Sequence, residues 1–106
     1  MMDDKLRGLL GLARRAGRLG LGHDAAVAAV RHGSAELCLL AADASERLYE
    51  EFLRESQKFG NVHLPLLQTD YTMEELGQSV GYRKMAVLTV NDRGFADRIT
   101  ELIGRE

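Results

Sequence analysis

The chain contains few of the features on which several protein classes depend. It has one cysteine, Cys38, which excludes a disulfide framework and leaves one thiol in the apolar stretch Leu37–Leu40. We therefore expect Cys38 to be a packing residue in the reducing cytoplasm. No apolar run approaches the ~20 residues that span a bilayer, and the acidic opening Met-Met-Asp-Asp-Lys does not resemble a secretion signal. These absences predict a cytoplasmic protein with no membrane partner.

Groupings of catalytic residues are also missing. The histidines are isolated in the sequence, no Cys/His spacing matches a metal site, and no phosphate-binding P-loop is present. His23 and Asp24 are adjacent, but neighbouring side chains on a helix point about 100° apart, which disfavours direct cooperation. Asp43 follows a buried strand as a phosphoacceptor would, yet residues 19–22 supply no acidic pair to hold magnesium. We expect no enzyme activity, no metal, no cofactor and no small-molecule substrate.

Positive charge is scarce overall and unevenly distributed. The formal net charge of −2 argues against a protein that coats nucleic acid indiscriminately. Up to Gly33, however, basic residues outnumber acidic ones, and the remainder of the chain is acidic. This contrast predicts a local anion-binding site, although two solvated helix faces would give the same composition. The basic residues of the first part are Lys5, Arg7, Arg14, Arg15, Arg18 and Arg31.

Hydrophobic spacing predicts helices and strands in alternation. Helices are expected at about 3–16, 23–32, 46–59, 73–81 and 93–103, and strands at 19–21, 36–42, 62–67 and 85–90. Ser45 is a predicted helix cap, and Thr72 with Glu75 forms a predicted capping box. Asn91 and Asp92 are expected to cap the last helix. The third helix is expected to be solvated, without function, on its charged side and buried at Leu48, Tyr49, Phe52, Leu53 and Phe59.

The order α-β-α-β-α-β-α-β-α, with two strands apolar on both faces, predicts an α/β fold. We expect a three-layer α/β/α sandwich with a small mixed four-stranded sheet, in one domain at 1–106. Crossover helices favour mostly parallel pairing, whereas the short strand at 19–21 is compatible with either direction. Pro65, the only proline, predicts a sheet edge or a bulge in the third strand.

The most distinctive local feature is the glycine-rich stretch 16–33. Gly17 and Gly33 suit left-handed helix ends, and Gly20 and Gly22 are expected to let the backbone approach something outside it. Free N–H groups and the positive dipole end at residues 22–24 would receive an anion or polar base edges. From the glycines alone, a turn needed only for packing is the simpler interpretation.

Five segments occur in order along nearly the whole chain. They are Leu-Leu-Gly-Leu-Ala-Arg-Arg-Ala-Gly-Arg at 9–18, the helix at 22–33, Leu-Leu-Ala-Ala-Asp-Ala-Ser at 39–45, Glu-Glu-Leu-Gly at 74–77, and Asn-Asp-Arg-Gly-Phe-Ala at 91–96. Together they resemble the YlxQ family of small bacterial proteins, in the superfamily of the kink-turn-binding ribosomal protein L7Ae. The resemblance implies an α/β/α sandwich that binds kink-turn-like or ribosomal RNA. Its partners would include the ribosome or translation and transcription factors.

The superfamily site combines an apolar loop before the last strand with the pattern Gly-x-Asn-Glu-x-x-Lys at the start of the second helix. Gly22 matches this pattern, but Asp24, Ala25 and Ala28 replace the asparagine, glutamate and lysine. Ionised Asp24 accepts hydrogen bonds and cannot donate them, and the lost contacts would each be worth ~1–3 kcal/mol. The loop falls on Gly-Tyr-Arg-Lys-Met at 81–85, which is more polar than the family pattern.

Candidate RNA-binding residues follow from the resemblance and the charge distribution. Four arginines would face phosphates, three residues at the helix start would touch the RNA, and three loop residues would close the site. They are Arg14, Arg15, Arg18, Gly22, His23, Asp24, Arg31, Tyr82, Arg83 and Lys84. The alternative function is a protein-interaction adaptor that has lost kink-turn recognition, which the missing lysine and the net acidity would also fit.

Overall fold

The computed structural model describes residues 2–104, and the predicted order of helices and strands is confirmed there. The elements are α1 (Asp4–Arg15), β1 (Leu19–Leu21), α2 (Gly22–His32), β2 (Leu37–Leu40), α3 (Glu46–Lys58), β3 (Leu66–Gln68), α4 (Met73–Ser79), β4 (Val87–Val90) and α5 (Arg93–Gly104). The predicted domain at 1–106 also includes residues 1, 105 and 106, which lie outside the described residues.

Local sequence signals account for the helix ends. Ser45 Oγ accepts a hydrogen bond from the Leu48 amide at 3.2 Å, and both hydrogen bonds of the capping box between Thr72 and Glu75 are formed. The Asp92 carboxylate accepts from the amide of Phe95 at 2.9 Å and so caps α5. Each of these contacts satisfies an N–H group that the first turn of a helix leaves without a partner. The left-handed glycines predicted after α1 and α2 are also confirmed.

The strands form one mixed sheet in the order β1-β4-β2-β3. β2 and β3 are parallel, whereas β4 is antiparallel to both β1 and β2. The mixed sheet is confirmed, but the expectation of mostly parallel pairing is wrong. Leu40 is in register with both Gln68, at the end of β3, and Val87, at the start of β4. Because α4 is a seven-residue helix that keeps the chain at this end of the sheet, β4 has to run back in the opposite direction.

The third strand begins later than predicted. The Leu64 amide donates to the carbonyl of Asn61 at 3.2 Å, which closes a turn where the hydrophobic pattern predicts a strand. Pro65 follows this turn, and its carbonyl accepts from the Cys38 amide at 2.9 Å. β3 is an edge strand of the sheet, so the edge position predicted from Pro65 is confirmed.

The core lies on both faces of the sheet and confirms the three layers. Residues of α1, α4 and α5 pack together on one face, and residues of α2 and α3 pack on the other. Alternating side chains of β2 supply both sides: Leu37 and Leu39 face the first layer, and Cys38 and Leu40 face the second.

Helix α3 buries a narrower stripe than its sequence predicts. Phe52 and Ser56 are buried and lie one helical turn apart, which defines the line of contact with the sheet and α2. Leu53 and Phe59 are 39% and 42% exposed, so their predicted burial is wrong. Leu53 is rotated about 100° from Phe52 around the helix, and Phe59 follows the last helical residue.

Cys38 lies in the centre of the sheet and is fully buried, as predicted. Burial raises the pKa of its thiol to about 12, so the reactive thiolate is not formed near neutral pH. We expect Cys38→Ala to lower the free energy of unfolding by about 1 kcal/mol, because it leaves a small cavity. Urea unfolding followed by circular dichroism measures this loss. Rapid reaction of the native protein with a thiol reagent would contradict the packing role.

Candidate nucleic-acid interface

Two of the predicted site segments lie at one end of the sheet. Leu21, the last residue of β1, pairs with Leu88, and Val87 is the first residue of β4. The chain therefore enters α2 at the end of the sheet where residues 81–86 lead into β4. This register brings residues 22–24 and 82–84 to the same end of the sheet, although they are far apart in the sequence.

The two central glycines of the 16–33 stretch, Gly20 and Gly22, are required for different physical reasons. Gly22 has φ +86°, and a Cβ built on it would meet no protein atom within 4 Å. Its backbone therefore needs glycine while its surroundings are open. A Cβ on Gly20 would lie 2.5 Å from Thr89 Oγ1 and 3.1 Å from the Ala25 carbonyl oxygen. Gly20 thus serves internal packing, and the expectation that it approaches something outside the chain is wrong.

The start of α2 has no side-chain cap. Its N-cap residue is Leu21, which offers no hydrogen-bond acceptor to the first-turn N–H groups. These donors and the positive end of the helix dipole are available to a polar or anionic ligand. The only described carboxylate of this first turn, Asp24, has a fully exposed side chain.

A basic and aromatic surface lies where α1 ends and the loop after α4 begins. Arg14 Cζ is 5.7 Å from the centroid of the Tyr82 ring, and Tyr82 is 47% exposed. Arg14 Nη1 is 2.8 Å from the position that a Cβ on Gly81 would occupy, so the guanidinium covers the left-handed turn that ends α4. Arg83 and Lys84 follow in the same loop and are exposed. We call Arg14, Tyr82, Arg83 and Lys84 the loop surface.

Helix α4 holds this loop by direct backbone contact. A Cβ on Gly77 would lie 2.8 Å from both N and Cα of Lys84 and 2.9 Å from its carbonyl carbon. The Tyr82 amide donates to the Gly77 carbonyl at 2.8 Å, and the Met85 amide donates to that of Met73 at 2.8 Å. The loop therefore keeps a fixed position relative to α4, and none of the three cations of the loop surface forms an ion pair within residues 2–104.

The remaining arginines of the first third lie in different places. Arg15 Nη1 is 3.5 Å from the position of a Cβ on Gly11, on the side of α1 that faces Ser79 of α4. Arg18 precedes β1, and its carbonyl accepts from the Asn91 amide at 2.7 Å. Asn91 follows the last residue of β4, so the backbone of Arg18 lies at the opposite end of β1 from Gly22.

His23 and Arg31 pair with carboxylates of α3. Arg31 makes two hydrogen bonds to Glu55, from Nη2 to Oε1 at 2.7 Å and from Nε to Oε2 at 3.2 Å. His23 Nε2 lies 2.6 Å from Glu51 Oε2, and Nδ1 lies 3.2 Å from Asp24 Oδ1. His23 and Asp24 therefore do interact, contrary to expectation. The prediction that the charged side of α3 is merely solvated is wrong for Glu51 and Glu55.

These contacts shift three pKa values. The hydrogen bond to Glu51, then the one to Asp24, raises the pKa of His23 above 6.5, because protonated imidazole donates from both ring nitrogens. The hydrogen bonds between Arg31 and Glu55 lower the pKa of the Glu55 carboxyl and raise that of the guanidinium. The rings of His23 and the buried Phe52 also contact each other in a T-shaped arrangement, with centroids 5.9 Å apart and planes at 80°.

We expect Glu51→Gln to lower the pKa of His23 towards 6.5, because the neutral amide favours the imidazolium less strongly. His23 binds its proton more tightly in the folded chain than in the unfolded one. Its stabilising contribution is therefore complete below about pH 6.5 and is lost as the pH rises through the folded pKa. NMR titration of the imidazole measures this change. Glu50→Gln is the matched control, and an equal pKa in both variants would contradict the prediction.

The described residues contain neither a cluster of metal ligands nor a membrane-spanning helix. No three His, Cys, Asp or Glu side chains there are grouped so as to hold a metal ion. None of the helices from α1 to α5 combines the length and apolar composition needed to cross a bilayer.

This fold, with its mixed four-stranded sheet between two helical layers, defines a known class. Residues 4–99 match the ribosomal protein L7Ae/L30e/S12e/Gadd45 family, and the chain belongs to this family. The chain is 32% identical to RNA-binding protein YlxQ of Bacillus subtilis (strain 168) over 95 residues. These matched residues cover 90% of this chain and 91% of that protein. RNA-binding protein YlxQ of Enterococcus faecium is 31% identical over 99 residues, covering 93% and 91%. The family predicted from the five segments is confirmed.

Solved structures show the same fold. A protein with unknown function from Bacillus halodurans C superposes with a TM-score of 0.83 at 30% identity, covering 96% of this chain and 99% of that one. The Giardia lamblia 15.5kD RNA binding protein superposes with a TM-score of 0.68 at 18% identity, covering 99% and 90%. At that identity, the second likeness concerns the fold alone.

Proposed function

We propose that the protein binds structured RNA and catalyses no reaction. The observation that carries this proposal is the loop surface, where an exposed tyrosine lies with three cations that form no ion pair among the described residues. The uncapped start of α2 lies at the same end of the sheet. The family, and relatives that are named RNA-binding proteins, support the same function.

Each part of this end of the sheet suits a different group on RNA. The guanidinium of Arg14 and the charges of Arg83 and Lys84 neutralise backbone phosphates, which supplies affinity. The exposed ring of Tyr82 offers a face on which an unpaired base stacks. The free N–H groups after Leu21 donate to phosphate or to base edges. Because the whole chain is acidic, binding is confined to this local surface.

The bound element, in this proposal, is a kink-turn-like or ribosomal RNA, in the cytoplasm and linked to the ribosome or to translation or transcription factors. The test is a titration of one kink-turn RNA and one straight duplex of equal length at several salt concentrations. Binding through phosphates makes the logarithm of affinity fall linearly with the logarithm of salt concentration, by roughly 0.9 per contact on duplex. Failure to bind either RNA at low salt would contradict RNA binding and favour the protein-interaction adaptor.

Ala28 provides a test of kink-turn specificity, because the family pattern has a lysine there. It is exposed on α2 in a groove of about 630 Å³ that His23, Arg31 and Glu55 also line. We expect Ala28→Lys to raise affinity for the kink-turn RNA and to steepen its salt dependence by about one unit, because the added cation offsets the carboxylates of this groove and makes a phosphate contact that the wild type lacks. The control is Thr100→Lys, which adds the same charge on α5, in the helical layer on the other face of the sheet. Equal effects of the two substitutions would argue against a kink-turn site.

A further inference from the structure

Two basic side chains of α2, His23 and Arg31, already bind anionic oxygens, which is the kind of group that RNA phosphates offer. Arg31 and Glu55 form a bidentate ion pair, in which both carboxylate oxygens accept a hydrogen bond from the guanidinium. Arginine binds a phosphate group in the same geometry. Phosphate can therefore bind the Nε/Nη2 edge of the Arg31 guanidinium only by displacing Glu55, whose side chain is only 14% exposed. The Phe59 ring, 5.2 Å from Arg31 Cζ, also holds the guanidinium in place.

His23 is restrained in the same manner by the same helix. Glu51 accepts at Nε2, Asp24 lies beside Nδ1, and the Phe52 ring packs against the imidazole in a T-shaped arrangement. Both ring nitrogens are therefore directed at carboxylates. Glu51 and Glu55 lie one turn apart on α3, and both point towards α2.

The balance of charge differs between the two sides of the start of α2. The groove between α2 and α3 is lined by three carboxylates, those of Asp24, Glu51 and Glu55, and by the basic side chains of His23, Arg31 and His32. The loop surface has three cations, none of which forms an ion pair with a described carboxylate, and one carboxylate, that of Glu74, lines a pocket together with Arg83 and Lys84. A phosphodiester backbone is attracted to the cations of the loop surface, whereas in the groove Glu55 and Glu51 already bind Arg31 and His23.

We propose that Glu51 and Glu55 are specificity-determining residues, which occupy His23 and Arg31 and exclude RNA phosphates from the groove between α2 and α3. The inference rests on the proposed function. The backbone of a bound RNA then runs over the loop surface, and α2 offers RNA its N–H groups without a phosphate-binding side chain. Only an RNA whose strand bends away from α3 satisfies this one-sided arrangement.

The test compares Glu51→Gln/Glu55→Gln with the matched variant Glu46→Gln/Glu50→Gln. Both remove two negative charges from α3, but Glu46 and Glu50 line the other side of the helix, beside Gln68. The measurements are the affinity for the kink-turn RNA and its salt dependence. We expect the first variant to bind about tenfold more tightly than the control variant and to steepen the salt dependence by about one unit, since the Arg31 guanidinium becomes available to phosphate.

A second measurement locates the change. In the wild type, RNA should leave the NMR signal of the Arg31 Nε–H group unchanged, whereas in Glu51→Gln/Glu55→Gln it should shift this signal. Arg31 is half exposed, so loss of its partner leaves no buried charge, and thermal unfolding should show an intact fold.

The outcomes separate this inference from the proposed function. If the wild type binds RNA and both double variants bind alike, the specificity role is overturned while RNA binding stands. A shift of the Arg31 signal in the wild type would overturn it as well. If neither the wild type nor the variants bind RNA, the proposed function fails and the inference fails with it.

Discussion

Reversing two charges of the loop surface, by Arg14→Glu with Arg83→Glu, is expected to weaken RNA binding by about a hundredfold or more at low salt. Each substitution removes a cation that has no carboxylate partner among the described residues and places a negative charge opposite phosphate. The loss should be similar for different RNA sequences, because phosphate contacts do not read bases. Salt dependence should fall by about two units.

The matched control is Arg47→Glu with Arg54→Glu, which gives the same change in net charge on exposed residues of α3. We expect this variant to keep most of its RNA affinity and both variants to unfold as the wild type does, since all four side chains are exposed. Equal losses of affinity in the two variants would mean that overall charge, and not the loop surface, determines binding.

Gly77→Ala is expected to lower the free energy of unfolding by about 1–3 kcal/mol. The new Cβ would lie under 3.0 Å from three backbone atoms of Lys84, and backbone cannot rotate away as a side chain can. Relief requires the loop to move off α4, which displaces Tyr82 and Arg83 as well. RNA affinity should therefore fall even under conditions where the variant remains folded.

Gly8→Ala is the control for this substitution. Gly8 lies in the interior of α1, and a Cβ there would meet nothing within 4 Å. Alanine is the better helix former, so we expect Gly8→Ala to raise stability by about 0.5–1 kcal/mol. Urea unfolding gives both values, and binding to the kink-turn RNA separates the two variants further. A neutral effect of Gly77→Ala would show that the loop does not depend on this contact.

The elements of the fold were predictable because their signals are local. Ser45, Thr72 and Asp92 cap helices within three residues of themselves, and such contacts need no tertiary structure. The direction of β4 is different. It depends on the short helix α4 staying at one end of the sheet, and the alternation of helices and strands in the sequence does not specify that. The start of β3 was missed because a turn at Asn61 interrupts an apolar run.

The candidate site likewise combines residues that local sequence signals predict with contacts that depend on tertiary structure. Gly22 was identified because a left-handed position and the family pattern both require glycine. The partners of His23 and Arg31 lie 28 and 24 residues away on α3, so their contacts depend on how two helices pack side by side. The one available signal was the spacing of Glu51 and Glu55 at i and i+4, which puts both on one helix face. The contact of Arg14 with Tyr82 likewise depends on tertiary structure.

The position of β4 between β1 and β2 has a consequence for the nascent chain. Residues 19–21 pair with residues 88–90, and β2 pairs along its length with residues 87–90. Until those residues have been synthesised, β1 lacks the neighbour it has in the sheet and β2 exposes one apolar edge. Closure of so long a loop is slow compared with the formation of local helices. A chain that stalls before β4 is therefore a target for chaperones and proteases, even though most of its helices have already been made.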